Sequence, residues 1–391
     1  MKEVVILSAV RTAVGRFGGS FVDTPVTDLG AAVIEESVKR ARIEPSNIQE
    51  CIMGICLPAG VGQNPARQAA IKAGLPVEIG ALNINKLCGS GLKAVMLAAN
   101  AVRSGEHDAV VAGGMENMSA APYLLKKARW GYRLNDDKVV DHLIHDGLFD
   151  SLSGILMGVT GEIVAERFGV TREDADLISY QSHMNALAAM KNGKFDAEIL
   201  PIKVKEMKAI VDMKIDEGVR PDITVESLAK LRPVFKEGGM VTAGNSSQIS
   251  DGAAAVVVAS KEFAERCGVE PVATIVDYNT GGVKPEYIME APIPTVRALL
   301  KKTGMKMSDI DLFEHNEAFA TASVAVKREL GVPDVKFNVH GGAVALGHPI
   351  GCSGARVLTT LLYAMKDRNA KTGLATLCLG GGNAVAMIVR R

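Results

Sequence analysis

The two ends of the chain repeat the same order of elements, and this internal repeat limits the possible folds more than any other feature. In the first part, Leu82-Asn83 leads to Cys88-Gly89-Ser90-Gly91, then to a helix pattern and an apolar strand pattern ending in Gly113-Gly114. In the last part, Phe337-Asn338 leads to Gly351-Cys352-Ser353-Gly354 and the same succession. The repeat predicts two similar halves packed as one body. Chance likeness between two glycine-rich loops is the alternative.

The order of strand-like, helix-like and irregular runs along the chain predicts how the chain is divided. Strand-like and helix-like runs alternate in the first third, at residues 4–9, 29–42, 50–55, 67–73 and 108–114. Alternation of this kind predicts a layered α/β domain. From about residue 119 the chain changes to mixed charge and scattered glycine, which favours an inserted region. We therefore predict an N-terminal half at 1–118, an inserted loop domain at 119–248 and a C-terminal half at 249–391.

Composition excludes several classes of function. The 391 residues include 44 Lys plus Arg and 44 Asp plus Glu, so no net field attracts nucleic acid or an anionic membrane. No run is long and apolar enough to span a bilayer, and the first residues enter a strand pattern without the features of a secretory signal. The six cysteines are dispersed along the chain, which favours a reducing, cytoplasmic setting.

Cys88 is the first candidate for chemistry, because it lies between a strand pattern at 80–85 and a helix pattern at 92–102. A thiol at a helix N-terminus faces unpaired backbone N–H groups and the positive end of the helix dipole. Both favour the reactive thiolate. The alternative is a small buried cysteine beside a glycine-rich turn.

Three further residues lie in unusual local sequences. His348 is in a loop at 340–351 that is rich in glycine, buries little side chain and is costly in backbone entropy, so approach to a ligand is the plausible gain. An imidazole there suits removal of a thiol proton. Cys378 ends a strand pattern before Gly380-Gly381-Gly382, whose free amides suit an oxyanion hole. Asn316 is either a helix cap or an amide that fixes a water or a carbonyl.

Two features of the inserted region have less specific interpretations. His142 and His145 have no accompanying cluster of metal ligands, so we interpret them as solvated loop residues and predict no metal site. The basic run at 126–133 is typical of a solvated surface, with a phosphate-binding or subunit-contact segment as the alternative.

Thr171, with Asp174 three residues later, predicts the start of a helix.

Taken together, the separated motifs resemble those of the thiolase family, most closely its acetyl-CoA acetyltransferases. Further similar blocks at 11–19, 62–68 and 242–247 extend the resemblance over essentially the whole chain. The resemblance implies a thiolase fold, with two repeated βαβαβαββ halves in a layered α/β/α/β/α arrangement and an inserted loop domain that helps to bind CoA. The four motifs are Cys88-Gly89-Ser90-Gly91, Asn316-Glu317-Ala318-Phe319, Gly347-His348-Pro349 and Cys378-Leu379-Gly380-Gly381-Gly382.

The resemblance also implies an activity and a role for each site residue. The activity is reversible condensation of two acetyl-CoA to acetoacetyl-CoA plus CoA, by a ping-pong mechanism through acyl-Cys88. His348 would activate Cys88, and Cys378 would exchange a proton with the methyl carbon of the second acetyl-CoA. His348 and a water held by Asn316 would stabilise the enolate, while the Cys88 and Gly380 amides would hold the oxyanion. CoA is then substrate and product, with no tightly bound cofactor.

Substrate binding and assembly follow from the same resemblance. The basic run at 126–133 is similar to the loop through which tetrameric members assemble, which implies a homotetramer rather than a dimer. The residues implied to contact CoA are Met157, Arg220, Phe235, Ala243, Ser247, Ala318 and Phe319.

Three departures from the pattern of biosynthetic thiolases lie where the acyl and pantetheine groups should bind. Leu156 stands where those members typically have His, Met289-Glu290 replaces part of a Met-Gly-x-Gly-Pro segment, and His315 replaces an aliphatic residue. A degradative 3-ketoacyl-CoA thiolase acting on longer chains is therefore the alternative function. A non-catalytic CoA-binding assembly subunit is a remote alternative, because the set of four motifs is complete.

Overall fold

The structure is a computed structural model that describes residues 2–206 and 209–391. Its strands are β1 (Val4–Thr12), β2 (Gly15–Arg16), β3 (Glu50–Gly54), β4 (Gly80–Ile84), β5 (Ala109–Asn117), β6 (Tyr123–Leu124), β7 (Val140–Asp141), β8 (Phe149–Asp150), β9 (Ile155–Leu156), β10 (Ile199–Leu200), β11 (Ile202–Glu206), β12 (Ala209–Met213), β13 (Ser250–Ser260), β14 (Ala273–Gly282), β15 (Leu312–His315), β16 (Thr372–Leu379) and β17 (Asn383–Arg390). Its helices are α1 (Val26–Ala41), α2 (Pro65–Lys72), α3 (Ser90–Ser104), α4 (Met157–Phe168), α5 (Arg172–Lys191), α6 (Val225–Ala229), α7 (Lys261–Cys267), α8 (Pro292–Thr303), α9 (Ala320–Leu330), α10 (Ala343–Leu346) and α11 (Ile350–Asp367).

The main sheet contains the same strand order twice. In one half β4, β3 and β5 are parallel neighbours, followed by antiparallel β13 and β1. In the other half a parallel bridge at Phe337 leads to β15 and β16, followed by antiparallel β17 and β14. The two stretches meet where Val5 and Ile6 of β1 pair with β14. The repeat predicted from the sequence is confirmed by this order.

Strand β13 links the two ends of the chain in space. It opens the predicted C-terminal part, and it lies between β5 and β1 of the first stretch of sheet. Its eleven residues are all buried, as expected for a strand covered on both faces. The division of the chain at residues 118 and 248 stays a prediction.

The buried side chains form layers on both sides of the strands. Helices α3 and α11 share one apolar cluster with strands of both halves, so they form the central layer. Helices α1 and α2 cover the outer face of the first stretch of sheet, and α8 and α9 cover the outer face of the second. The predicted α/β/α/β/α arrangement is confirmed.

The two central helices touch near their N-terminal ends. A Cβ atom on Gly91 of α3 would lie 2.7 Å from the backbone nitrogen of Ala355 in α11. A Cβ atom on Gly354 of α11 would collide with the backbone nitrogen of Leu92. Glycine is required at both positions because any side chain would push the helices apart. The contact brings together the Cys88 loop and the His348 loop, which precede these helices.

Local signals in the sequence had mixed outcomes. Thr171 caps α5 in a capping box with Asp174, as predicted. Cys88 directly precedes α3, with Gly89 at the N-cap. The interpretation of Asn316 as a helix cap is wrong, because α9 begins at Ala320 with Phe319 at the N-cap.

Across residues 2–206 and 209–391, no helix combines the length and the apolar character that crossing a membrane requires.

Candidate active site

The loop that carries Cys88 is held in a strained shape by its own hydrogen bonds. Leu87 has a φ of +49°, a left-handed conformation that costs a bulky residue roughly 1–2 kcal/mol. The Ser90 hydroxyl oxygen accepts from the Lys86 N–H at 2.8 Å, and the hydroxyl donates to the Leu87 carbonyl at 2.7 Å. This bonding closes the turn and leaves the Cys88 side chain partly exposed.

The C-terminal half covers this loop with the end of β16. A Cβ atom on Gly380 would collide with the Leu87 side chain, and one on Gly89 would collide with Leu379. The backbone N–H groups of Cys88 and Gly380 both act on the Cys88 thiol. The structure therefore brings together the two amides that the sequence singled out, one from each half, at the same sulfur.

Cys378 is a second thiol beside the first. It is buried, and the charge of a Cys88 thiolate would act on it directly. Its sulfur lies 3.7 Å from the sulfur of Met289, so the segment with the Met289-Glu290 departure borders this thiol. Burial raises the pKa of Cys378 far above its ordinary value, with the neighbouring Cys88 acting in the same direction.

His348 is fixed in one tautomer by its partners. The Ser353 hydroxyl donates to the Pro349 carbonyl at 2.9 Å, so its oxygen accepts from the Nδ1–H of His348, at 2.5 Å. The Nε2 atom then carries the lone pair, which accepts a hydrogen bond from the side-chain amide N–H of Asn316 at 3.4 Å. This assignment follows from the hydrogen-bond network. His348 thus presents an acceptor nitrogen to Asn316.

Asn316 has one polar atom left over. Its side chain is fully buried, and within the described part of the chain its Oδ1 atom has no hydrogen-bond partner. A buried amide oxygen without a partner is costly, which indicates an acceptor kept for a water or a ligand. This is the second of the two alternatives drawn from the sequence.

The protonation of Cys88 differs from the sequence-based expectation. Although Cys88 is partly accessible, its sulfur is enclosed by protein atoms, and this desolvation raises the pKa of Cys88 to about 11, against the effect of the Cys88 and Gly380 amides. Burial, together with the positive charge of Arg356, lowers the pKa of His348 to about 3. The helix-terminus argument has the right sign but is outweighed by desolvation. The resting pair is therefore a neutral thiol and a neutral imidazole.

A cavity of about 300 Å³ leads to His348. Met157, Phe235, Ser247 and Phe319 line it, and all four are among the residues predicted to contact CoA. Most of the remaining lining is apolar: Met118, Ile144, Leu148, Leu156, Ile249 and Ile350. The cavity suits a narrow, largely apolar arm that ends in a reactive group.

The other three predicted CoA contacts lie outside the lining of this cavity. Arg220 and Ala243 are exposed. Ala318 is buried, and its carbonyl accepts the N–H of Ser247 at 3.0 Å. Ala318 thereby supports a lining residue through the backbone, while contacts of Arg220 and Ala243 with CoA stay predictions.

Comparisons with known proteins bear on the whole chain. Residues 4–262 match the family model "Thiolase, N-terminal domain", and residues 269–391 match "Thiolase, C-terminal domain". The chain is a thiolase. It is 51% identical to the acetyl-CoA acetyltransferase of Cupriavidus necator and 50% identical to that of Escherichia coli, over the full length of each protein. The crystal structure of the Bacillus anthracis acetyl-CoA acetyltransferase is 42% identical and superposes with a TM-score of 0.98, covering 100% of this chain and 99% of that one.

The three departures have different positions in this thiolase. Leu156 lines the cavity and Met289 contacts Cys378, so both lie beside candidate site residues. His315 does not line the cavity. It is fully buried, its Nδ1 lies 3.0 Å from the Ser323 hydroxyl, and burial lowers its pKa to about 3. His315 is therefore a neutral residue of the core.

Sequence reasoning also misjudged or missed several residues. His142 is buried with Nδ1 2.5 Å from Asp146, so the solvated-loop interpretation is wrong for it. Ser353 and Glu116 were not singled out, although a charged residue inside the apolar run of β5 was a visible signal. A search of the described residues finds no group of three or more potential metal ligands.

The raised pKa of Cys88 predicts how the free thiolase reacts with iodoacetamide. Below a pKa of about 11, the thiolate fraction grows about tenfold per pH unit, so Cys88 alkylation should still be rising above about pH 9. Peptide mass spectrometry follows Cys88 and exposed Cys267 separately, the latter reporting reagent activity. A Cys88 rate that levels off below about pH 8 would contradict this account.

Proposed function

We propose that this thiolase is an acetyl-CoA C-acetyltransferase, which condenses two acetyl-CoA to acetoacetyl-CoA and CoA, or runs thiolysis in reverse. The observation that carries the proposal is the meeting of the Cys88 and Gly380 amides at the Cys88 sulfur, beside Cys378. The full-length relatives named acetyl-CoA acetyltransferase support the same activity.

In the first half-reaction, Cys88 takes an acetyl group from acetyl-CoA. The thiol proton passes to Nε2 of His348 as the sulfur attacks the thioester carbonyl carbon. The Cys88 and Gly380 amides donate to the oxyanion of the tetrahedral intermediate. When this intermediate collapses, the carbon–sulfur bond to CoA breaks and the CoA thiolate takes the proton from His348. The products are acetyl-Cys88 and free CoA.

In the second half-reaction, acetyl-Cys88 accepts a carbon nucleophile. Cys378 passes its thiol proton to Nε2 of the neutral His348, and the resulting thiolate removes a proton from the methyl group of a second acetyl-CoA. The enolate oxygen accepts hydrogen bonds from His348 and from a water at the free Oδ1 of Asn316. The enolate carbon attacks the acetyl carbonyl, the bond to the Cys88 sulfur breaks, and the Cys88 thiolate takes the proton held at Nε2 of His348, which leaves Cys88, His348 and Cys378 neutral again.

Neutral resting thiols fit this ping-pong sequence. Because burial favours the uncharged forms of Cys88, His348 and Cys378, charge develops only when a thioester is bound. A thiolate attacks a thioester well and also leaves it readily, which keeps the reaction reversible. A site built in this way does not need a tightly bound cofactor, and CoA serves as substrate and product.

A 3-ketoacyl-CoA thiolase acting on longer chains is the second candidate. The apolar lining of the cavity, with Leu156 in place of His, favours it. Relatives from Staphylococcus aureus that are 48% identical over the full chain are named probable acetyl-CoA acyltransferases, a name that leaves chain length open.

Thiolysis rates with 3-ketoacyl-CoA substrates of increasing length separate the two candidates. We expect the highest kcat/KM with acetoacetyl-CoA. Little activity on acetoacetyl-CoA with high activity on longer substrates would assign the degradative function instead. Cys88→Ala should abolish activity on every substrate and the exchange of label between CoA and acetyl-CoA, whereas the exposed-site control Cys267→Ala should not. Unchanged exchange in Cys88→Ala would refute acyl transfer through this residue.

We infer that the working enzyme is a homotetramer in a reducing, cytoplasmic setting. All six cysteines are free thiols, which suits such a setting. The 119–156 region exposes large apolar side chains, including Trp130 at 78% and Leu134 at 87%. Apolar side chains exposed to this extent are typical of subunit contacts. The balanced charge of the chain argues against nucleic acid or anionic membranes as partners.

Sedimentation velocity tests the assembly. The wild-type protein should sediment as a tetramer, and replacing Trp130 and Leu134 with Ser should shift it to a smaller species, because the substitutions remove apolar contact area. A wild-type dimer across the concentration range, or a double variant that stays tetrameric, would refute this assembly through the loop.

A further inference from the structure

Glu116 is a buried carboxylate behind the nucleophile that the proposed mechanism does not use. It lies in β5, paired with Gly252 of β13, and its side chain is fully buried. A carboxylate in such a place is stable only when hydrogen bonds satisfy it. Its partners belong to two different parts of the active site.

One set of partners belongs to the segment after β3. The Cys56 N–H donates to Oε2 of Glu116 at 2.9 Å, and the Leu57 N–H donates to Oε1 at 3.1 Å. The Cys56 sulfur in turn lies 3.6 Å from the Ser90 hydroxyl, which closes the nucleophile loop. A single residue, Cys56, therefore connects Glu116 to the turn that holds Cys88.

The other partner is the first turn of α11. The N–H of Gly351, unpaired within the helix, donates to Oε2 of Glu116 at 2.8 Å. A Cβ atom on Gly351 would lie 2.6 Å from this same oxygen, so the carboxylate and the helix are in direct contact. His348 lies two residues before this helix, and Ser353, which orients the imidazole, lies within its first turns.

We propose that Glu116 is a positioning residue that ties the nucleophile loop to the first turn of α11, and so holds Cys88 and His348 in register for proton transfer. This role rests on the proposed acyl transfer. It explains why a carboxylate, which has two acceptor oxygens, lies at a point where three backbone N–H groups converge. An apolar residue there would leave all three donors unsatisfied.

The charge of Glu116 supplies an independent readout. Burial raises the pKa of Glu116 to about 7, against the effect of its three backbone donors. The titratable groups on which its charge acts are the thiols of Cys56, Cys88 and Cys352, whose pKa values it raises. Removing the charge should therefore lower the pKa of Cys88.

Two variants separate the effect of the length of the Glu116 side chain from the effect of its charge. Glu116→Asp keeps the charge but is one methylene shorter, so it cannot reach both partners. We expect kcat to fall on the order of tenfold to a hundredfold with KM within about twofold. Glu116→Gln keeps the reach but lacks the charge, so Cys88 alkylation by iodoacetamide should shift to lower pH. Asp311→Asn is the matched control. Asp311 precedes β15, at the end of this strand away from Asn316, and accepts two backbone N–H groups. This variant should give wild-type values in both assays.

Each outcome of these assays either supports or overturns the positioning role of Glu116. A folded Glu116→Asp protein with wild-type kcat would overturn it, and so would an unchanged alkylation profile in Glu116→Gln or equal losses in Asp311→Asn. Circular dichroism and thermal unfolding establish that the variants are folded. If Glu116→Asp does not fold, the alkylation profile of Glu116→Gln still decides. Alkylation needs no acyl-CoA, so failure of this inference is distinct from failure of wild-type acetyl transfer, which would remove the proposed function.

Discussion

The contact between α3 and α11 is the constraint on which the rest of the structure depends. Each helix begins at a loop that carries chemistry, and each has a glycine, Gly91 or Gly354, where the other helix touches it. Since backbone meets backbone, the two loops approach more closely than side-chain packing would permit. The repeat thus does more than duplicate a fold. It places the N-terminal ends of two related helices at one point, and the site lies there.

Dense packing at this point determines the electrostatics of the site. A thiol held among buried groups loses its water, and this loss outweighs the two amides that favour the thiolate of Cys88. The same desolvation keeps His348 neutral. In the proposed mechanism, such a site rests uncharged and ionises when a thioester binds, and donors already in place bind the developing oxyanion. Burial therefore restrains the free thiol and strengthens the hydrogen bonds that act during the reaction.

Much of the fold and of the site could be predicted from the sequence, for identifiable physical reasons. Repeated glycine loops and apolar periodicity indicated the two halves, and the capping signal at Thr171 was local and unambiguous. The protonation of Cys88 could not be predicted, because desolvation depends on residues distant in the sequence. For the same reason the sequence left a helix cap open as one of two alternatives for Asn316 and did not point to Glu116. Both residues have partners that only tertiary contact supplies.

The central claim is that the two halves divide the reaction, with Cys88 carrying the acetyl group and Cys378 moving the proton. The most direct test is to incubate Cys378→Ser with acetyl-CoA, locate the acetyl group by peptide mass spectrometry and assay acetoacetyl-CoA in the same sample. Because a serine hydroxyl is a far weaker acid than a thiol, the account predicts acetyl-Cys88 without condensation. An acetyl group on another residue, failure to acetylate Cys88, or condensation at the wild-type rate would contradict it.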